Sequence, residues 1–250
     1  MAERAYFISD VHLGSLAEPN AFKLLQFLNG FQSRDQISHL FLVGDIFDLW
    51  VAAHEYFVHK YAALLDELNR LKKMGVEVHY FEGNHDLYLQ HYFGDILGFH
   101  IHTGPGIFDL CGKKVRVEHG DEMDPTDVGY RFLRWFLRTP FMKRLAPRLP
   151  SLFVVYLGHR MSRASRSYTS GRKSLSEEKA RRIIRAHAAR AWVQQPFDLL
   201  VCGHIHVTED ATFRPESRVI NLGSWLTETP TVLQLDKKGI RLLPLEENPF

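Results

Sequence analysis

Short apolar runs recur along the chain, and several of them close on a carboxylate or an imidazole. "AYFISD" (5–10), "HLFLVGD" (39–45) and "VEVHYFEGNHD" (76–86) carry β-prone residues into such polar ends and predict three strands. Between them, "AFKLLQFLNGF" (21–31) has helical periodicity. "EYFVHKYAALLDELNRLKKMG" (55–75) sets Phe57, Tyr61, Leu64, Leu65, Leu68 and Leu71 on one helical face, with Gly75 as the stop. The order β-α-β-α-β predicts a largely parallel sheet covered by helices. Further strands are expected in "KKVRVEHGD" (113–121), "FDLLVCGHIH" (197–206), "SRVINLGSW" (217–225) and "TPTVLQLD" (229–236). From 121 to 197 the pattern turns helical, aromatic and basic.

The totals narrow the class without naming a function. A chain of 250 residues with 45% hydrophobic and 24% charged positions suits one globular domain, with room for an insertion. We read 1–250 as that domain and 122–196 as a helical cap inserted within it. A formal charge of +2 says little about partners. Cys111 and Cys202 sit far apart in apolar runs, which predicts two buried reduced thiols and a cytosolic setting. The first residues hold no apolar stretch of the secretory kind, and no run approaches the roughly 20 apolar residues of a membrane span. The expected location is cytoplasmic, either soluble or peripheral to a membrane.

The strand ends carry the chemistry. Five of them finish in metal-ligand types: "SDVH" with Asp10 and His12, "GDIFD" with Asp45 and Asp48, "GNHD" with Asn84 and His85, "EHGD" with His119, and "GHIH" with His204 and His206. In an open α/β sheet the carboxyl ends of the strands share one rim, so residues spread over the chain converge on one crevice. A lone histidine at a strand end is usually structural, and a lone Gly-Asp is usually a turn; five such pieces in order argue for a site. Oxygen and nitrogen donors suit Mn, Zn, Fe or Mg better than a thiolate-loving ion. A shared carboxylate can bridge two cations, and such a pair clamps a displacement at phosphorus.

In this order the fragments resemble the calcineurin-like metallophosphoesterases, whose D-x-H, G-D, G-N-H-[DE], H and G-H-x-H pattern runs here from Asp10 to His206. The resemblance implies an α/β fold built on a two-sheet β-sandwich flanked by helices, in place of a single parallel sheet. It implies two divalent metal ions, typically Mn. Asp10, His12, Asp45 and His206 would hold one; Asp45, Asn84, His119 and His204 would hold the other. It further implies that His85 stabilises the transition state or protonates the leaving group, and that Asp48 orients His85. Asp86 reads as a structural cap for the turn that follows it.

The basic segment addresses the substrate. From Val128 to Ser176 there are eleven Lys or Arg residues and no Asp or Glu. "YRFLRWFLRT" (130–139) places Arg131, Arg134 and Arg138 on one helical face among aromatic residues. A solvated cap would explain this. A surface for something acidic and greasy, such as a phospholipid-like substrate and an anionic membrane, explains it more fully. Nucleic acid is not expected, because it would account for the charge and not for the apolar surface, and no obligate protein partner is evident. Together with "HGDEMDPTDVGYRFLR", "RMSRASRSYTSGRKS" and "VINLGSW", the segment resembles the bacterial UDP-2,3-diacylglucosamine diphosphatases of lipid A biosynthesis. That resemblance implies peripheral association with the inner membrane, a sugar contact at Asp127 and head-group contacts at Arg163, Arg166, Ser170 and Lys173. One branch of that family has Arg where this chain has His85, and basic residues follow its last His where Val207 stands here. Another phosphodiester, nucleotide or phospholipid is therefore the alternative substrate class.

Overall fold

The computed structural model describes residues 3–33, 36–156, 158, 177–227 and 229–245. Alternation along the strands builds two stacked sheets. In β1 (Arg4–Ile8), Ala5 and Phe7 face the space between the sheets, while Tyr6 and Ile8 face the helices on the other side. The same division holds in β2 (His39–Leu42), where Phe41 points inward and Leu40 and Leu42 outward. Burying one such aromatic ring contributes about 1.5–3 kcal/mol.

Sheet one has six strands in the order β13 (Gly239–Pro244), β12 (Thr231–Asp236), β1, β2, β4 (Glu77–Phe81), β6 (His100–His102). β1, β2, β4 and β6 are parallel, whereas β12 and β13 run antiparallel. Sheet two orders β10 (Glu209–Arg214), β11 (Ser217–Asn221), β9 (Leu199–Cys202), β8 (Lys113–Val117) and β7 (Gly106–Leu110). Its centre is parallel and its two edges antiparallel. A short parallel pair, β3 (Trp50–Val51) with β5 (Asp86–Leu87), ties two of the motif-bearing loops together. The mixed two-sheet architecture replaces the single parallel sheet that periodicity alone suggested.

Helices complete the layers. α1 (Pro19–Asn29) and α3 (Ala62–Lys73) pack on the outer face of sheet one, with Leu24, Phe27, Leu64 and Leu68 in one core with Tyr6, Leu40 and Tyr80. The helix expected over 55–75 is two helices, α2 (Glu55–Lys60) and α3, with a break at Tyr61 (φ −112°, ψ 19°). Tyr61 is fully buried against Phe47, and its hydroxyl donates to the Leu13 carbonyl at 2.7 Å. That inward anchor is bought at the break in the helical ladder. Both cysteines are free thiols, Cys202 buried and Cys111 half-buried.

The segment 122–196 divides between two environments. α4 (Val128–Leu137), α5 (Pro140–Leu145) and a helix over 151–156, α6, lie along a cavity at the rim of the sheets. α7 (Glu177–Gln194), in contrast, packs on sheet two, where Ile184, Ala188 and Ala191 meet Leu200, Cys202 and Val219. Arg185 and Arg181 also reach from α7 to Glu209 of β10, the former at 2.6 Å. α7 is thus a layer of the body.

Candidate metal centre

Each of the five motifs sits just past a strand, where the backbone turns sharply. Asp10, His12, Asp45 and His204 all have left-handed backbones, with φ between 51° and 66°. Such conformations cost non-glycine residues of order 1–3 kcal/mol each and persist only where surrounding contacts impose them. Asp10 N donates to the Gly44 carbonyl at 3.1 Å and His12 N to the Asp45 carbonyl at 3.0 Å, locking the first two loops side by side. Gly83 and Gly203 are required by close approach: a Cβ on Gly83 would strike the Asp45 carboxylate, and one on Gly203 would strike Ser9 and Asp10.

Asp86 organises these loops. It is fully buried; Oδ1 accepts from Asp45 N at 3.0 Å and Gly83 N at 2.8 Å, and Oδ2 accepts from Ile46 N at 2.9 Å and the Tyr80 hydroxyl at 2.6 Å. The expected cap for the following turn is instead a splice between two preceding ones. Burial, together with the nearby Asp45 charge, raises the Asp86 pKa.

All seven residues expected at the metal positions come together. Asp45 Oδ2 lies 3.5 Å from His119 Nε2 and 4.0 Å from His12 Nε2, so one oxygen faces both halves of the cluster. In the first half, His12 Nε2 and His206 Nε2 are 3.1 Å apart, and Asp10 Oδ1 is 3.7 Å and 3.4 Å from them. In the second, Asn84 Oδ1 is 3.2 Å from His119 Nε2 and 3.0 Å from His204 Nδ1. His119 Nδ1 donates to the Val43 carbonyl at 2.9 Å, which leaves Nε2 as the site-facing nitrogen. Asp10 Oδ1 is buried with no hydrogen-bond partner. Opposed ring nitrogens, an orphaned buried carboxylate oxygen and a shared carboxylate make a donor set that fits divalent cations.

Burial would raise both carboxylates, yet the imidazoles win. His12 and His206 hold Asp10 below the usual range, and His119 and His85 hold Asp45 well below it. Burial likewise opposes charge on His119, but Asp45 pushes its pKa up to about 10. His204 is driven down to about 4 by burial and by the charge on His119.

His85 borders the cluster. Its N–H donates to Asp45 Oδ1 at 2.9 Å, and its ring lies 5.0 Å from that of His12. Nδ1 donates to the main-chain carbonyl of Asp48 at 2.8 Å, leaving Nε2 as the working nitrogen. Position 48 thus contacts His85 through its main-chain carbonyl. His12, Asp45 and His85 also offer donor atoms within 4.8 Å of one another, so His85 is within reach of whatever the cluster holds.

Around the cluster, Leu49, Leu87, Leu133, Leu137, Met142 and Val154 line an apolar cavity that reaches Asn84 and His85. Asp127 caps α4, accepting from Tyr130 N at 3.0 Å. Arg163, Arg166, Ser170 and Lys173 lie outside the described residues. Two of the three arginines expected to form an outward basic face are internal tethers: Arg134 Nε pairs with Asp121 at 2.7 Å and Arg138 Nη1 with Glu82 at 2.8 Å. Sequence reading missed Glu82 and Asp121 in this role. Both stand beside metal-type motifs, and that adjacency was the available signal. Exposed instead are aromatic and aliphatic side chains, among them Phe132, Trp135, Phe141 and Leu152, all more than 60% accessible.

This fold and this donor cluster define a metal-dependent phosphoesterase: a family model for the calcineurin-like phosphoesterases matches residues 4–208, and the chain belongs to that family. It is 29% identical over 243 residues to a UDP-2,3-diacylglucosamine hydrolase of Porphyromonas gingivalis, covering 90% of this chain and 92% of that protein. It is 26% identical over 243 residues to a protein of the same name from Neisseria meningitidis serogroup B, covering 97% and 98%. Among solved structures, Vps29 of Cryptosporidium parvum superposes with a TM-score of 0.50 at 14% identity, covering 99% of this chain and 93% of that one, and shares the fold. Family membership makes the protein a metal-dependent hydrolase that works with divalent ions.

Asp45→Ala should abolish binding of both metals, whereas His85→Ala should keep them and lose about 10²–10⁴-fold in turnover; metal analysis beside kinetics separates the two. A cation entering next to Asp45 must displace the His119 proton, because a metal-bound imidazole is neutral. Metal affinity should therefore rise with pH between about 6 and 9, with proton release visible as a buffer-dependent heat in calorimetry.

Proposed function

We propose that the protein hydrolyses UDP-2,3-diacylglucosamine to UMP and the lipid monophosphate, using two divalent ions, Mn in the resting enzyme. The observation that carries this reading is the apolar cavity opening directly beside the donor cluster: the substrate would have to be greasy on one side of a phosphoanhydride and polar on the other. The names of the relatives from Porphyromonas gingivalis and Neisseria meningitidis support it.

In this reading Asp10, His12, Asp45 and His206 hold one ion, and Asp45, Asn84, His119 and His204 the other. When bound, the ions polarise the phosphoryl group and lower the pKa of a water toward neutrality. Water oxygen joins the α-phosphorus of the UDP portion, the bridging P–O bond breaks, and the bridging oxygen leaves on the sugar phosphate. His85, its Nδ1–H engaged at the Asp48 carbonyl, would turn Nε2 to the phosphoryl or bridging oxygen, and a proton carried there would stabilise the charge that gathers on it. Asp127 would contact the sugar, and Arg163, Arg166, Ser170 and Lys173 the head group. The cap helices enclose the acyl chains and exclude water.

The exposed aromatic residues of α4–α6 stand near exposed Lys143, Arg144 and Arg148 in sequence, a combination that favours an anionic bilayer surface. No helix among the described residues is long and apolar enough to cross a membrane. On the strength of those exposed aromatic and basic residues we propose a peripheral place at the cytoplasmic face of the inner membrane, without nucleic acid or an obligate protein partner. A histidine at position 85, where one branch of the resembling enzymes has arginine, favours a second reading in which another phosphodiester, nucleotide or phospholipid is cleaved by the same centre.

With Mn and UDP-2,3-diacylglucosamine in ¹⁸O-water, label should appear in UMP and not in the lipid phosphate. Hydrolysis of a soluble aryl phosphodiester without turnover of the lipid would transfer the assignment to the second reading. Replacing Phe132, Trp135 and Phe141 together by Ser should weaken sedimentation with anionic vesicles by about tenfold or more, while hydrolysis of the soluble diester stays unchanged.

A further inference from the structure

None of the side chains of α4 is buried, so apolar packing gives this helix little hold on the body. Polar contacts fasten it instead, and they fall around one half of the donor cluster. Arg138, only 14% exposed, pairs with Glu82, itself 5% exposed and separated from Asn84 by Gly83 alone. One turn earlier, Arg134 pairs with Asp121, two residues beyond His119, and with Glu122 at 3.1 Å. The Tyr130 hydroxyl donates to the same Asp121 oxygen at 2.7 Å, and its ring lies 5.9 Å from that of His204. The loops of Asn84, His119 and His204 are each braced by α4. Asp10 and His12 are braced from within the body, through Gly44, Asp45 and the Trp225 N–H that reaches the Asp10 carbonyl at 3.0 Å.

We infer that Arg134 and Arg138 are positioning residues for the second metal position, coupling the seat of the cap helix to the affinity of the Asp45–Asn84–His119–His204 group while leaving the Asp10–His12–Asp45–His206 group largely unaffected. The inference rests on the two-metal reading. The physical basis is the geometry of a buried, hydrogen-bonded charge pair: such a pair adds little net stability but holds its partners to one arrangement. Glu82 is held at its other oxygen by Leu89 N at 3.1 Å and through its own N–H by the His102 carbonyl at 2.8 Å, so Arg138 closes onto an anchor that is already fixed. Coupling of this kind is reciprocal, so a ligand that holds α4 in place also tightens the second position.

The test is Mn titration of the full chain, followed by electron paramagnetic resonance, in the wild type and in the double variant Arg134→Gln/Arg138→Gln. The wild type should take up two ions and give an exchange-coupled dinuclear signal. The variant should bind its first ion within about threefold of wild type and its second at least about tenfold more weakly, giving a mononuclear signal at intermediate Mn. A second-ion affinity within about threefold of wild type, or an equal loss at both positions, overturns the inference. A wild type that holds only one ion overturns the two-metal reading itself. If circular dichroism shows that the glutamine pair does not fold, Tyr130→Phe and Arg138→Lys carry the comparison: each should weaken the second ion selectively, and wild-type affinities in both would overturn the assignment.

Discussion

The Asp86 carboxylate takes hydrogen bonds from Asp45 N, Ile46 N, Gly83 N and the Tyr80 hydroxyl, and the seat of the shared carboxylate Asp45 depends on that junction. Asp45 has a left-handed backbone, held at some cost by its surroundings, and Gly83 lies too close to it for any side chain. Two loops from neighbouring parallel strands are thereby held as one piece, and Asp45 can turn a single oxygen toward both halves of the cluster. Asp86 itself need not touch substrate or metal to matter. Its burial among four donors makes it a rigid part rather than a reactive one, since a carboxylate so fully satisfied has little to offer a ligand.

Much of this was legible in the sequence because metal-ligand residues are chemically conspicuous and strand ends gather on one rim. The β1–α1–β2–α3–β4 half could be read from periodicity, since its strands are buried on both faces and its helices amphipathic. The antiparallel strands at the sheet edges could not. β10 holds a single buried position and β13 none, and the parallel edge strand β6 is hidden too, being only His100–Ile101–His102, a triplet that no hydrophobic pattern marks. The break at Tyr61 escaped notice for a related reason: the three- and four-residue spacing of the apolar positions passes through it unchanged.

The arginines of α4 show where local reading runs out. Their common face was correctly legible from spacing, but the partners that give the face its meaning, Glu82 and Asp121, are 56 and 13 residues away in sequence. A basic helical face that opens a long acid-free stretch looks solvent-directed. In space Arg134 and Arg138 turn inward onto carboxylates from two different loops, and the outward surface is left to Arg131, Phe132 and Trp135. The same helix thus joins a greasy exterior to the interior of the metal centre.

The central place of β1 also bears on how the protein is made. This first strand pairs on one side with β2, soon synthesised, and on the other with β12, among the last. His12 and His206, whose nitrogens meet in the centre, are 194 positions apart. At ribosomal speeds of about 5–20 residues per second, roughly 10–40 s separate the emergence of the two. Throughout that interval β1 lacks its β12 neighbour, and neither half of the donor cluster has its full set until the 204–206 loop has emerged.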